Sequence, residues 1–395
     1  FSEGDFTESS LYKTIYDWSA TNTIHFNDVA EDEVVIRRTG NSLSIYVGNS
    51  RVSVSDMVDS FSGSLYTRGI STIQFADGNN WNIEKIKEMS VIGTESDDNL
   101  YGFNTSDYIV GGSGDDLLNG GAGDDIYSFG IGHGDDELVE SEGIDVIRYL
   151  NGITTDDISV RRYYSDLILS LSDDDIITVD NMFYSSSGNV RSANAIEQLE
   201  FADGTIWNLD QLRRAAVQGS GLSDFIQGFS GDDTVSGGKG NDWLEGFAGN
   251  DTYEFNLGDG KDTIRDTGGA DIIRFGAGIT PDDVMVHRYQ AETYFVFTNG
   301  DQIKVEGQMN SGVLNTNYLI EQIEFSNGIV WDLAEIEAQI ANTAALPNVR
   351  LGSSSWDELH VSGGVGDFYL NGFDGIDDLS GGSGNDTLVS GYGFK

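Results

Sequence analysis

The chain contains no cysteine, so neither disulfides nor thiolate metal sites are available to it. An oxidising, extracellular setting permits disulfides without requiring them, so secretion stays open. No apolar run approaches the roughly 20 residues needed to cross a bilayer, and no membrane span is expected. Basic side chains are scarce: 21 Lys and Arg face 66 Asp and Glu, a formal net charge of -45. That balance argues against a nucleic-acid partner, whose phosphates it would repel. Catalytic signatures are missing as well, with no G-x-S-x-G, no H-E-x-x-H and no phosphate-binding G-x-x-x-x-G-K-[ST]. Four scattered histidines (His25, His133, His287, His360) offer little to a nucleophile–base pair, and the expectation is that the chain is not an enzyme. It opens at Phe1 with neither an initiating Met nor a signal-peptide pattern, which reads as a piece of something longer.

What is present argues against global disorder. Hydrophobic residues make up 38% and aromatics 11%, including 17 Tyr, 20 Phe and 6 Trp, enough to build cores. A charge of -45 nevertheless opposes compaction unless counter-ions are bound.

Self-similarity organises the chain. "IEQLEFADGTIWNLDQL" (196–212) returns as "IEQIEFSNGIVWDLAEI" (320–336) and more faintly as "ISTIQFADGNNWNIEKI" (70–86). The chain is three copies of one unit, and each unit has two parts. The first part holds short Ile-, Val- and Tyr-rich runs, such as "DVIRYL" (145–150) and "DLILSLS" (166–172), which read as antiparallel strands. Asp203-Gly204 and Asn327-Gly328 are hairpin-turn dipeptides. A short helix follows, with Asn208 and Gln211, then Asp332 and Glu335, spaced as capping boxes. Trp81, Trp207 and Trp331 are expected to anchor that helix on the sheet.

The second part is a run of nine-residue rows. From Gly93 they are "GTESDDNLY", "GFNTSDYIV", "GGSGDDLLN" and "GGAGDDIYS"; from Gly219, "GSGLSDFIQ", "GFSGDDTVS", "GGKGNDWLE" and "GFAGNDTYE". A third, ragged set begins "GSSSWDELH" and ends "GFDGIDDLS", "GGSGNDTLV". Six residues of turn and three of strand make half a coil of a flattened parallel helix. Glycine supplies the unusual backbone angles and the close approach that such turns demand. The eighth residue (Leu100, Ile109, Leu118, Tyr127; Ile226, Val235, Leu244, Tyr253) then points into the narrow space between two sheets. The sixth, always Asp in these rows, stacks along the outer edges. Residues 93–140 hold twelve acidic side chains and no Lys or Arg, so close-packed carboxylates lack a local counter-charge. A hard divalent cation supplies one. Calcium takes carboxylates and carbonyls together in flexible geometry, magnesium prefers a tight hydrated octahedron, and zinc wants His or Cys.

These rows resemble the G-G-x-G-x-D-x-U-x nonapeptide of RTX proteins, the haemolysin-type calcium-binding repeats. The other part, through "IEQLEFADGTIW" and its copies, resembles the haemolysin-type calcium-binding-related domain. The resemblance implies parallel β-rolls with several Ca2+ between successive turns, and an apo chain that folds outside the cell after type I secretion. It implies metal ligands at Asp98, Asp107, Asp116, Asp125, Asp224, Asp233, Asp242, Asp251, Asp357, Asp377 and Asp386, with Asp136 and Asp262 in an offset variant. Their turn glycines are Gly111, Gly112, Gly114, Gly120, Gly121, Gly123, Gly237, Gly238, Gly240, Gly381, Gly382 and Gly384. Rows from Gly93, Gly102, Gly219 and Gly352 lack the second and fourth glycines, so partial sites are expected there, and Asp367 sits one residue out of phase.

The fold expected is all-β. Small antiparallel β-rich domains, each ending in a short helix, span 1–92, 141–218 and 265–348. They alternate with rolls over 93–140, 219–264 and 349–395. The leading functional expectation is a secreted, calcium-dependent structural or adhesive segment that stiffens on extracellular calcium and self-associates into a fibre or surface layer. Two alternatives stand beside it: an accessory region of a secreted RTX toxin or hydrolase, and a glycan-binding adhesin module using Tyr163, Tyr164 or Tyr184.

Overall fold

A computed structural model describes residues 12–15, 21–55, 57–58, 69–150, 152–185, 187–310, 313–344, 349–351, 358–361, 368–372 and 377–389. The chain divides into two compact units, residues 1–215 and 216–395.

In the first unit, alternate rows feed two different sheets, as the half-coil spelling requires. One sheet runs parallel through Asn99–Tyr101, Leu117–Asn119, Asp135–Val139 and Asp175–Val179. The other runs parallel through Tyr108–Ile109, Ile126–Phe129, Val146–Tyr149 and Gln198–Glu200. Side chains in register line the interior: Leu100, Leu118, Leu138 and Val179 from one sheet, Ile109, Tyr127, Ile147 and Leu199 from the other. All eight are fully buried. Burial of this kind stabilises by roughly 1.5–3 kcal/mol per large apolar side chain, which is what holds strands only three or four residues long in place.

The parallel ladder does not stop at the expected boundaries of 140 and 264. Two further rows, Ile131–Val139 and Glu140–Arg148, keep the sixth-position Asp and the apolar eighth residue while losing the first glycine. They extend the roll, and the globular segment adds to it directly. Asp175–Val179 pairs parallel with the last roll strand of its sheet, and only then do Asp166–Ser172 and Ser159–Tyr163 fold back antiparallel. Likewise Gln198–Glu200 continues the other sheet before Ile206–Asn208 closes it antiparallel. The globular part is therefore a pair of antiparallel extensions on the roll's own sheets. Sequence could not show this, because the joining strands lie about 40 to 50 residues beyond the rows they pair with.

The second unit repeats the plan. Phe225–Gln227, Trp243–Glu245, Lys261–Arg265 and Gln302–Val305 form one parallel run, extended antiparallel by Glu292–Phe297 and Val284–Tyr289. Thr234–Val235, Thr252–Phe255, Ile272–Phe275 and Gln322–Glu324 form the other, closed by Val330–Asp332. The ragged third roll also pairs parallel, with Val349–Leu351, Tyr369–Asn371 and Thr387–Val389 in one sheet and Glu358–His360 and Asp378–Ser380 in the other.

The helices end each copy as the spelling predicts. Asn208 accepts from the Gln211 amide at 3.0 Å, and Gln211 Oε1 accepts from the Asn208 amide at 3.0 Å. Asp332 accepts from the Glu335 amide. Trp81, Trp207 and Trp331 set their rings edge-on to Phe75, Phe201 and Phe325, with centroids 4.9, 5.2 and 4.6 Å apart. Among the described residues no helix is long and apolar enough to cross a membrane.

Candidate metal centre

The sixth-position aspartates form two ladders per roll, one on each edge. From the third row on, each Asp accepts, through Oδ1, the backbone amide of the Asp two rows earlier. On one edge the amides of Asp98 and Asp116 donate to Asp116 and Asp136, at 2.8 and 3.0 Å. On the opposite edge those of Asp107 and Asp125 donate to Asp125 and Asp145, both at 2.8 Å. The second roll matches: Asp224 to Asp242 to Asp262, and Asp233 to Asp251 to Asp271. The offset pair Asp136 and Asp262 thus stands in the same ladder as the rest.

The second oxygen of each carboxylate has a different fate. Oδ2 of Asp116, Asp125, Asp242, Asp251 and Asp271 is buried with no hydrogen-bond partner in the protein. In Asp116, Asp125, Asp242 and Asp251 it is directed at the first glycine of its own row. A Cβ at Gly111 would lie 2.2 Å from Asp116 Oδ2, and one at Gly120 2.2 Å from Asp125 Oδ2. Gly237 and Gly381 stand in the same way against Asp242 and Asp386, so the first glycine makes room for a carboxylate oxygen. The second and fourth glycines serve the backbone instead. Gly112 and Gly114 hold φ of 110° and 108°, where a side chain is strained, and Gly121, Gly123, Gly238, Gly240, Gly382 and Gly384 share that left-handed region. A Cβ at Gly112 would also strike the carbonyl oxygen of Thr94, at 1.8 Å.

Burial first, and neighbouring carboxylates second, push these aspartates far above the ordinary range, against the pull of the amides they accept. Asp116 rises to about 6, Asp125 and Asp136 to about 7, and Asp251 and Asp262 to about 8. A buried carboxylate with an orphan oxygen and like-charged neighbours fits a hard cation and little else. The donor set is oxygen throughout, with no sulfur or imidazole. Calcium bound there would supply the positive charge that the sequence lacks, and Asp116, Asp125, Asp242 and Asp251 are the side chains best placed to hold it.

The opening rows differ, and the protein's own groups explain why. Thr94 donates to Asp98 Oδ2 through its amide and its hydroxyl, and Ser220 does the same for Asp224. The Phe103 and Phe229 amides donate to Oδ2 of Asp107 and Asp233. In the first unit cations arrive as well. Arg37 forks onto Asp98, with Nε and Nη2 each 3.1 Å from a carboxylate oxygen, and Lys87 Nζ lies 2.7 Å from Asp107. Burial pulls Asp98 upward, but the hydrogen bonds from Arg37 and Thr94 and the guanidinium charge outweigh it and hold its carboxyl below the usual value. These are the rows whose second and fourth glycines are missing, or the row directly following one.

Several participants were not read from the sequence. Asp145 and Asp271 continue the ladders, and Glu197 and Glu321 end them by accepting the amides of Asp145 and Asp271. Both glutamates are the second letter of the repeated "IEQ" words, whose first acid is therefore the last rung. The fifth position forms a separate, exposed ladder: Asp97, Asp115 and Asp124 accept from the Asp115, Asp135 and Ile144 amides. Asn241 and Asn250 do the same work in the second roll, so that position needs an acceptor and not a charge. In the third roll, Asp386 accepts the Phe368 amide at 2.9 Å, and a Cβ at Gly372 would lie 2.2 Å from Asp377 Oδ2. Asp357 and Asp367 lie outside the described residues.

Two parallel sheets whose edges carry glycine-lined carboxylate ladders define a cation-binding β-roll. The RTX calcium-binding nonapeptide repeat profile matches residues 101–136, 227–261, 255–279 and 370–393. The haemolysin-type calcium-binding protein related domain profile matches 166–211 and 296–335. The chain carries RTX calcium-binding nonapeptide repeats and haemolysin-type calcium-binding-related domains. No curated protein matches it significantly in sequence. Among solved structures, the extracellular lipase LipA from Serratia marcescens is similar at 18% identity, over 57% of this chain and 40% of that one, with a TM-score of 0.21. The chain thus spans well under half of that lipase.

Gly111→Ala and Gly132→Ala separate the two uses of glycine. The first puts a methyl 2.2 Å from Asp116 Oδ2, whereas a Cβ at Gly132 meets nothing within 4 Å and strains only its φ of 80°. Calcium titration of both variants is expected to show at least a tenfold weaker midpoint for Gly111→Ala. Gly132→Ala should keep wild-type affinity and lose about 1–2 kcal/mol of stability.

The raised carboxyls set a pH dependence for the metal-free chain. Carboxyls of about 6 to 8 in the fold sit near 4 when unfolded. Between those values the unfolded chain binds fewer protons, so metal-free stability falls as pH rises through that window. Circular dichroism in chelator should therefore show β-structure gained on going from pH 8 to pH 5. A spectrum unchanged over that range contradicts this electrostatic account.

Proposed function

We propose that this chain is a non-catalytic, secreted segment that calcium converts from a self-repelling acidic chain into stiff, folded β-roll units, serving a structural or adhesive role. The observation that carries the reading is the set of buried Oδ2 atoms with no protein partner on Asp116, Asp125, Asp242, Asp251 and Asp271. Each is a cost to the metal-free fold and a ligand to the metal-bound one. Because the ladder brings together residues 18 or 20 apart in sequence, the sites do not exist in the unfolded chain. Metal binding is then folding free energy, and millimolar extracellular calcium drives both. Repetition of the plan in both units supports a tandem structural element, with fibre or surface-layer assembly as its fullest form.

The test is spectroscopic. At pH 7.5, calcium should raise the β-sheet signal of the chelated protein severalfold, with a sigmoidal dependence on calcium. Identical spectra with calcium and with chelator would remove the basis of the proposal.

A specific surface favours glycan binding as the adhesive activity. Tyr163, Tyr164 and Tyr184 are about half exposed, Tyr163 and Tyr164 pack edge-on at 4.8 Å, and Arg191 lies 4.3 Å over the Tyr184 ring. Tyr164 sits at φ 52° in the hairpin between Ser159–Tyr163 and Asp166–Ser172, an aromatic presented to solvent on a strained backbone. A glycan array probed with the calcium-loaded chain should give hits that Tyr163→Ala and Tyr184→Ala weaken at least tenfold. A blank array leaves the structural role without this adhesive one.

A further inference from the structure

We propose that the last turn of each roll holds a cation site of its own, built from Asp125, Glu140 and Asp145 in the first unit and Asp251, Asp266 and Asp271 in the second. It differs in composition from the sites of the repeated rows and binds its ion more tightly. The proposal rests on the calcium reading above and adds to it a ligand that no repeated row offers, Glu140 in the first unit and Asp266 in the second, beside two aspartates of the ladder.

The sequence change that makes the site is small. The first four rows of each of these two rolls begin with glycine, which leaves space beside the carboxylate, and the fifth begins with Ile131 or Leu257. The last row of each roll, Glu140–Arg148 or Asp266–Arg274, begins with an acid instead. That acid enters the space the first glycine keeps open two rows earlier. From a Cβ position at Gly120, Asp125 Oδ2 is 2.2 Å away, Tyr127 Oη 2.5 Å and Glu140 Oε1 2.8 Å. From Gly246, Asp251 Oδ2 is 2.4 Å away, Tyr253 Oη 2.4 Å and Asp266 Oδ2 2.6 Å. Within each triad one carboxylate oxygen per residue lies within 4.8 Å of the other two, and all six residues are buried.

Acidic clusters alone prove nothing, but here the orphan atoms point inward. Asp125, Asp251 and Asp271 are fully buried, and their Oδ2 atoms have no partner in the protein. Lys87, whose charge reaches Asp125, is spent on Asp107 at 2.7 Å. The tyrosines supply the remaining geometry. Tyr127 donates its hydroxyl proton to Glu140, and Tyr253 donates to Asp266 at 2.5 Å. That bond fixes one oxygen of the intruding acid and turns the carboxylate toward its two partners. Tyrosine takes the eighth position only in the rows from Gly120 and Gly246; every other row of these two rolls places Leu, Ile or Val there. The two units solve the same problem with acids of different length, Glu and Asp, on one common scaffold.

Three carboxylates around one point exceed the single Asp per turn that each edge offers elsewhere. Ligand charge is what tightens oxygen-only calcium sites, so these two sites should fill first. They sit where the glycine–aspartate turns give way to the globular extension, so a bound ion there ties the two together.

The experiment uses the full chain with calcium and with terbium(III) as a luminescent probe. Equilibrium dialysis should show that Glu140→Gln with Asp266→Asn binds two fewer calcium ions per chain than wild type and keeps the rest. Terbium added at two equivalents and excited through tyrosine should luminesce, and Tyr127→Phe with Tyr253→Phe should cut that emission by half or more. The tyrosine pair removes the antenna and leaves every carboxylate, so it decides the question even if the acid variants fail to fold. An unchanged ion count in folded acid variants, or unchanged emission in the tyrosine pair, overturns the proposal. A wild-type chain that binds no calcium at all instead defeats the broader reading on which it rests.

Discussion

Everything in the rolls depends on one carboxylate serving two masters. From the third row of each of the first two rolls onward, Oδ1 of the sixth-position aspartate is committed to a backbone amide two rows away, which fixes the stacking distance of the turns. In Asp116, Asp125, Asp242, Asp251 and Asp271 this leaves Oδ2 buried with no protein donor. The first glycine exists to keep that space open, and the second and fourth exist to let the turn close around it. Asparagine can replace aspartate one residue earlier, where only an acceptor is needed, but the sixth position is aspartate in all twelve rows of the first two rolls. An amide there would keep the ladder and lose the charge. That it is never used in these rows says that the ladder alone is not the purpose.

The two ends of a roll meet the same electrostatic problem with opposite solutions. At the opening of the first roll, Arg37 and Lys87 reach in from the preceding globular segment and neutralise Asp98 and Asp107 directly. Those rows need no metal to become tolerable, and their missing glycines cost them little. At the far end the chain adds charge, with Glu140 joining Asp125 and Asp145. The opening is thus arranged to be stable early, and the far end to respond most steeply to a cation.

Much of this was legible in the residues, because a nine-residue period with two fixed requirements leaves little freedom. The apolar eighth residue predicted the buried line from Leu100 to Leu118, and the sixth-position aspartates fell on alternating edges as the half-coil required. The capping pair Asn208–Gln211 and the tryptophan anchors were also local signals with local consequences. What escaped was non-local or disguised. Asp175–Val179 and Gln198–Glu200 looked like strands of a separate domain, since nothing near them states that they pair with Asp135–Val139 and Val146–Tyr149. Arg37 is 61 residues from its partner Asp98. Glu140 was hidden by its own function: by replacing the glycine that marks a row, it erased the row from the pattern.

That erasure has a readable counterpart. Aligning the copies at a displacement of 126 sets Tyr127 on Tyr253, Glu140 on Asp266 and Asp145 on Asp271. A degenerate repeat ordinarily loses its special residues one by one, toward residues of no particular chemistry. Here the glycine gives way to an acid in both copies, in the row that also follows the only tyrosines in the interior line of those two rolls. Coordinated departure from a pattern carries information that the pattern does not, because the spacing, the acid and the hydroxyl must change together to be of use. The closing turn of a repeat array is where such departures belong, since it must satisfy on one face what every inner turn satisfies through its neighbour.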